Sequence, residues 1–143
     1  MFIGEYHYKI DEKWRLAIPP KFRLNLKRGV VVTRGIDNCL FLYPKDEWEK
    51  LALKLSNLPI SQSKTRAFLR LMLAGAMDLK LDRQGRITLP DYLRKYAKIK
   101  KNVVIAGLYN RLEIWDEKEW EEYKRQSEKE SRDIAETLGE LKV

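Results

Sequence analysis

The sequence predicts an α+β chain, rich in strands, assembled from two copies of one small unit. Three observations carry this: an internal repeat, short apolar/polar alternations ended by proline, and helical periodicity confined to the stretches between and after the copies. In the repeat, Ile10-Asp11-Glu12-Lys13-Trp14-Arg15-Leu16-Ala17-Ile18-Pro19 aligns with Leu81-Asp82-Arg83-Gln84-Gly85-Arg86-Ile87-Thr88-Leu89-Pro90, and Arg23 and Arg94 follow at one shared position. After one extra residue in the second copy, Gly35-Ile36-Asp37-Asn38-Cys39-Leu40-Phe41-Leu42-Tyr43 aligns with Gly107-Leu108-Tyr109-Asn110-Arg111-Leu112-Glu113-Ile114-Trp115. Trp48-Glu49 then aligns with Trp120-Glu121.

Residues 5–10 alternate as a strand. Residues 15–18 and 86–89 do the same, and each run stops at a proline, which cannot donate to a ladder. Further strands are predicted at 30–33, 40–43, 103–106 and 112–115, with turn signals at Gly35…Asn38 and Gly107…Asn110. Pro44 suits a first helical position, and Trp48, Leu51, Leu55 and Leu58 fall on one face before Pro59 ends that helix. Ser61 or Ser63 is expected to cap a second helix with an apolar stripe of Ala67, Phe68, Leu71, Met72 and Gly75. Asp116 and Glu119 resemble a capping box that opens one last helix, with Glu121–Arg125 and Glu128–Arg132 as i,i+4 pairs and a solvated middle. The expected division is therefore 5–47 for the first repeat, 48–75 for linking helices, 76–119 for the second repeat and 120–143 for the final helix.

A chain of 143 residues buries one modest core or two small ones, which disfavours an enzyme with a roomy active site. No apolar stretch approaches a bilayer span, and residues 1–5 do not open as a signal peptide. The single cysteine, Cys39, offers no intramolecular disulfide, and with one histidine, His7, no metal site or cofactor is expected. Cys39 reads as a small apolar filler and His7 as a strand-surface residue. A reducing cytoplasm fits. Residues 1–112 carry 23 Lys and Arg against 10 Asp and Glu, a net +13, whereas 113–143 carry 6 against 11, a net −5. So basic a body suits a polyanion, because neutralised phosphates release condensed counterions.

The sharpest chemistry lies in the repeated D-x-x-x-R pattern, Asp11…Arg15 and Asp82…Arg86. A short hairpin accounts for the spacing: the Asp accepts backbone N–H bonds in the turn, Gly85 takes a positive φ, and the Arg begins the returning strand. A two-stranded ribbon fits the major groove, where an Arg can donate two bonds to guanine O6 and N7. An Asp–Arg bridge that only fixes the turn explains the same spacing, and the two readings are compatible. Lys13 and Arg83 are candidate DNA contacts beside the motifs. Phosphate contacts are also open to Lys9, Lys21, Arg23, Lys27, Arg28 and Arg34 in the first copy, and to Arg94, Lys95, Lys98, Lys100 and Lys101 in the second, if they share a face. Trp14 occupies a turn tip.

Taken together, Met1-Phe2, Gly4, His7, both D-x-x-x-R-x-x-[IL]-P segments and the run from Gly107 to Trp115 resemble the MraZ family over nearly everything but the last helix. The resemblance implies two SpoVT/AbrB-like swapped-hairpin units in a pseudo-symmetric double-ψ-type barrel, and ring-shaped homo-oligomers. It also implies a cytoplasmic, nucleoid-associated transcription regulator that binds short direct repeats of double-stranded DNA upstream of the division and cell-wall gene cluster, its own gene included. One departure stands out. The family's first motif usually carries Gly before the Arg, as the second does here at Gly85, but this chain carries Trp14, which leaves the geometry of the first turn open. An antitoxin-like DNA-binding module, with the last helix holding a protein partner, is the alternative. RNA binding is a more distant one, since exposed aromatics for stacking are scarce.

Overall fold

The computed structural model describes residues 1–142. Eight strands and six α-helices follow in chain order: β1 (Phe2–Lys9), β2 (Arg15–Ala17), α1 (Pro20–Arg23), β3 (Val30–Arg34), β4 (Leu40–Pro44), α2 (Lys45–Ser56), α3 (Ser63–Leu69), β5 (Met77–Leu79), β6 (Arg86–Thr88), α4 (Asp91–Tyr96), β7 (Asn102–Tyr109), β8 (Leu112–Asp116), α5 (Glu117–Lys129) and α6 (Ser131–Glu140). A short 3₁₀ turn follows α1 and a π-helical turn, Arg70–Ala74, extends α3. The expected α+β, strand-rich class is what the chain adopts.

Six strands form one antiparallel sheet in the order β1-β7-β8-β4-β3-β5, while β2 and β6 pair separately with each other. The first strand of each repeat thus lies against the third strand of the other: β1 on β7, with Phe2 facing Tyr109, and β5 on β3, with Val30 facing Leu79. The last strands of the two repeats, β4 and β8, meet at the centre of the sheet.

Period-two alternation sorts the side chains between two cores. Val30, Val32, Leu40, Leu42, Val103, Ile105, Leu112 and Ile114 face one side, where Leu16, Ile18, Ile87 and Leu89 of the short ribbon join them. Cys39, Phe41, Tyr43, Val104 and Trp115 face the other side and pack with Leu55, Met72, Trp48 and Trp120. This second layer is sealed by Thr33, whose buried hydroxyl donates to the Met72 carbonyl at 2.7 Å. It is sealed also by Glu113, which accepts from the Arg111 guanidinium at 2.9 Å and from Trp115 Nε1 at 3.1 Å.

Several local expectations need correction. The strand after each Asp turn does not fold back on its predecessor: Leu16 faces Ile87, so the ribbon forms between repeats and not within them. Gly107 is inside β7, where a Cβ would stand 2.5 Å from the Ile3 backbone nitrogen; the glycine admits the close approach of β1, and the turn itself falls at Tyr109 and Asn110. Helix α3 begins at Ser63 behind Gln62, with no side-chain cap from Ser61 or Ser63. The final helix is two: α5 ends before Glu130, whose φ of −95° and ψ of 8° interrupt the run, and α6 restarts at Ser131. Asp116 does cap α5, accepting from the Lys118 N–H, but Arg125 pairs with Glu122 in place of Glu121. Val143, the end of the expected last segment, lies outside the described residues.

Candidate nucleic-acid interface

Each D-x-x-x-R segment closes into the same hydrogen-bonded loop. In the first, Asp11 Oδ1 accepts from the backbone N–H groups of Lys13 and Arg15, both at 2.9 Å, and Oδ2 accepts from Arg15 Nε at 2.7 Å. In the second, Asp82 Oδ1 accepts from the N–H groups of Gln84 and Arg86 at 2.9 Å, and Oδ2 from Arg86 Nε at 2.9 Å. The backbone completes each loop, with the Asp N–H donating to the Arg carbonyl. Backbone donation, led by the Arg N–H, holds both carboxyls below their ordinary range, and the guanidinium adds to it.

The β2–β6 ribbon brings the two loops together. Arg86 Nη1 lies 3.9 Å from Asp11 Oδ2, so the guanidinium of one repeat reaches the carboxylate of the other. The Arg15 and Arg86 side chains keep 33% and 27% of their surface in solvent. With Nε on the Asp, each guanidinium retains its Nη donors, the number and planarity needed for a bidentate contact. Lys13 and Arg83 are exposed on the same loops, though they occupy different positions in the repeat: Arg83 stands where the first copy has Glu12.

The tip residue of each loop has a left-handed backbone, φ 61° at Trp14 and 75° at Gly85. Their carbonyls accept from the opposite repeat, Trp14 from the Leu89 N–H and Gly85 from the Ile18 N–H, both at 2.9 Å. Arg23 and Arg94 play a role the sequence only hinted at. Arg23 Nε donates to the Ile18 carbonyl and its side chain covers Gly85, while Arg94 Nε donates to the Leu89 carbonyl and its guanidinium stacks 4.0 Å above the Trp14 ring. These arginines clamp the turn of the other repeat. Their shared position after the proline was the available signal, but pairing between repeats was needed to interpret it.

Other phosphate candidates are engaged within the chain. Arg34 donates to the Leu71 carbonyl and lies over Tyr92 and Tyr96; Arg28 pairs with Asp46, Lys95 with Asp91 and Lys98 with Glu119. Lys9, Lys27, Lys100 and Lys101 stay exposed. Cys39 is fully buried and donates to the Ile36 carbonyl; burial pushes its thiol far up, which removes it as a nucleophile. His7 bridges Glu117 at 3.2 Å and Glu5 at 3.0 Å, and those two bonds raise its pKa. Glu5, His7 and Glu121 place ligand-type atoms near one another, but the Lys124 ammonium stands 3.4 Å from Glu5 and 3.7 Å from Glu121, supplying the positive charge there.

This doubled loop agrees with what the chain is similar to. The family model described as "MraZ protein, putative antitoxin-like" matches twice, over residues 1–71 and 72–141. The chain belongs to the MraZ family. Two relatives, each called "Transcriptional regulator MraZ", come from Natranaerobius thermophilus and Moorella thermoacetica; each is 46% identical over 143 residues, covering the whole of both chains. The two MraZ matches divide at residues 71 and 72, inside the π-helical turn between α3 and β5. No helix among the described residues is long and apolar enough to cross a membrane.

Proposed function

We propose that this chain is a sequence-specific DNA-binding transcription regulator in which Arg15 and Arg86 read base edges in the major groove. Asp11 and Asp82 aim them, and Lys13 and Arg83 bind phosphate. The observation that carries the reading is the paired loop itself: two guanidinium groups, each fixed through Nε, with their remaining donors available on one two-stranded ribbon. A pre-aimed arginine loses less side-chain freedom on binding than a free one. The names of the two relatives support the regulatory role.

In the finer form of this proposal, residues 5–47 and 76–119 are SpoVT/AbrB-like repeats of one swapped-hairpin barrel, supported by the exchange of β1 and β5 between repeats. The chain forms a ring of copies in the cytoplasm, associated with the nucleoid. It engages short direct repeats upstream of the division and cell-wall gene cluster and its own gene. Linked copies give the avidity that one ribbon lacks, provided DNA repeats recur at about 10–10.5 bp.

The test is a titration of DNA from upstream of the chain's own gene against scrambled DNA at fixed salt. Arg15→Ala and Arg86→Ala should each lower specific affinity by about 1–3 kcal/mol, or roughly 5- to 150-fold, with folding retained. Lys13→Ala or Arg83→Ala should weaken both DNAs alike and reduce the salt slope by about 1. Unchanged operator preference in the Arg15→Ala/Arg86→Ala double variant refutes the assignment. A second reading, an antitoxin-like module, is favoured by the family description and by the exposure of Ile134 and Leu138 on α6 and of Leu141 just after it. It requires a stoichiometric protein partner that is lost when residues 127–143 are removed.

A further inference from the structure

The two loop tips share a backbone and differ in what they present, and this difference points to a contact beyond the paired arginines. We propose that Trp14 is itself a DNA contact, reading a thymine C5-methyl beside the base addressed by Arg15; the proposal rests on DNA reading by the β2–β6 ribbon.

The first support is conformational. A bulky side chain is costly in the left-handed region, yet Trp14 adopts φ 61° where the equivalent residue is Gly85. Packing within the chain only partly uses the ring, because Trp14 remains 36% exposed. One face is covered by the Arg94 guanidinium, which is tied to the Leu89 carbonyl and to Asp91 and is itself only 16% exposed.

The second support is the surface beside the ring. Trp14 walls a groove of about 460 Å³ with Ile10 and Ile99 at its floor and Lys100 and Lys101 at its rim; Arg94 is not part of it. The groove therefore sets an apolar wall next to the Arg15 loop with two cations beyond it. Major-groove recognition calls for such an arrangement, since the thymine methyl projects from the edge that also carries the guanine acceptors, and lysines neutralise the flanking phosphates. The acidic groups on the groove, Asp11 and Glu12, do not oppose this: Asp11 is already paired with Arg15, and Glu12 is at the loop shoulder beside exposed Lys13.

The second loop lacks the equivalent surface. Any Cβ at position 85 would lie 2.2 Å from Arg23 Nε, so Arg23 occupies the space over that tip and presents a cation in place of an indole. The two half-sites of the DNA are consequently unequal, with a methyl requirement only under the first loop.

Full-length protein and DNA from upstream of its own gene test this. Thymines are replaced one at a time by deoxyuridine, which deletes the methyl and leaves every hydrogen-bonding group. Wild-type affinity at fixed salt should fall about fourfold at one position in the half-site under the first loop, the fold-change for losing one buried methyl-sized group. Trp14→Gly, whose backbone suits the new residue, should fold, should retain preference for upstream over scrambled DNA through Arg15 and Arg86, and should bind thymine and deoxyuridine DNA equally. Trp14→Phe should keep part of the difference. Operator preference with no deoxyuridine effect in wild type, or an undiminished effect in Trp14→Gly, overturns the assignment of Trp14 alone. Absence of any operator preference in wild type overturns the DNA reading and this contact with it.

Discussion

Between Asp11 and Arg15 and between Asp82 and Arg86 the backbone follows one path, with the same carboxylate accepting the same two N–H groups, yet one tip is tryptophan and the other glycine. The comparison separates two tasks that a turn glycine usually performs together. The carboxylate clamp sets the path, since Trp14 is brought into the left-handed region despite its Cβ. What glycine decides is the neighbour above it. Over Gly85 the Arg23 side chain settles into the space a Cβ would fill; over Trp14 the Arg94 guanidinium lies on an aromatic face instead. Two equivalent arginines thus satisfy two different tips by changing partner, and each still donates Nε to the carbonyl before its proline.

The hardest test of this contrast is substitution at the glycine. Gly85→Ala should destabilise by about 2–4 kcal/mol, the sum of left-handed strain and loss of the Arg23 bond to Ile18, read as a fall in the denaturant midpoint. In the Gly85→Ala background, Arg23→Ala should cost little further, because the Arg23 bond to Ile18 is already lost; simple additivity would break the account. Acid should then act on both turns alike. Both carboxyls have folded pKa values below their unfolded ones, so they contribute stability above the ordinary carboxylate range and lose it as pH falls through the folded values. Asp11→Asn and Asp82→Asn should each lower the melting temperature near neutral pH and reduce the loss on acidification, and a variant whose acid sensitivity equals wild type would remove that Asp from the clamp. The smallest effect is expected at the other tip: Trp14→Gly should change stability by less than about 1 kcal/mol, since relief of strain offsets the lost stack on Arg94. A large loss there would mean that the indole, and not the carboxylate, holds the first turn.

Local chemistry was legible where a residue's role depends on its near neighbours in sequence. Proline after Ile18 and Leu89, alternation in residues 15–18 and 86–89, and Asp four residues before Arg all act over a few positions, and the turn clamp follows the predicted pattern. Partner choice was not legible. Nothing in Leu16 or Ile87 says that β2 pairs with β6, and Gly107 read as a turn glycine because the close approach of Ile3 is set by a strand from the other end of the chain. For the same reason Arg23 and Arg94 read as candidate phosphate contacts, not as clamps on the opposite turn. The break at Glu130 was hidden because no glycine or proline marks it. His7 gave no sign of its distant partner, since Glu117 is supplied by the start of α5.

The strand exchange fixes when this molecule can come into being. Strand β1 is made before its partner β7, so its edge must wait unpaired until residues 102–109 have emerged from the ribosome. A first repeat alone has β3 paired with β4 but neither its β5 edge nor the second side of its ribbon. Contacts this distant in sequence raise contact order and slow folding, because the closure entropy is spent before the pairing repays it. Pairing between the repeats therefore waits for the second copy, and the arginine pair is assembled only at that point. A truncated or stalled product presents one aspartate turn without its ribbon partner, and so lacks the doubled loop.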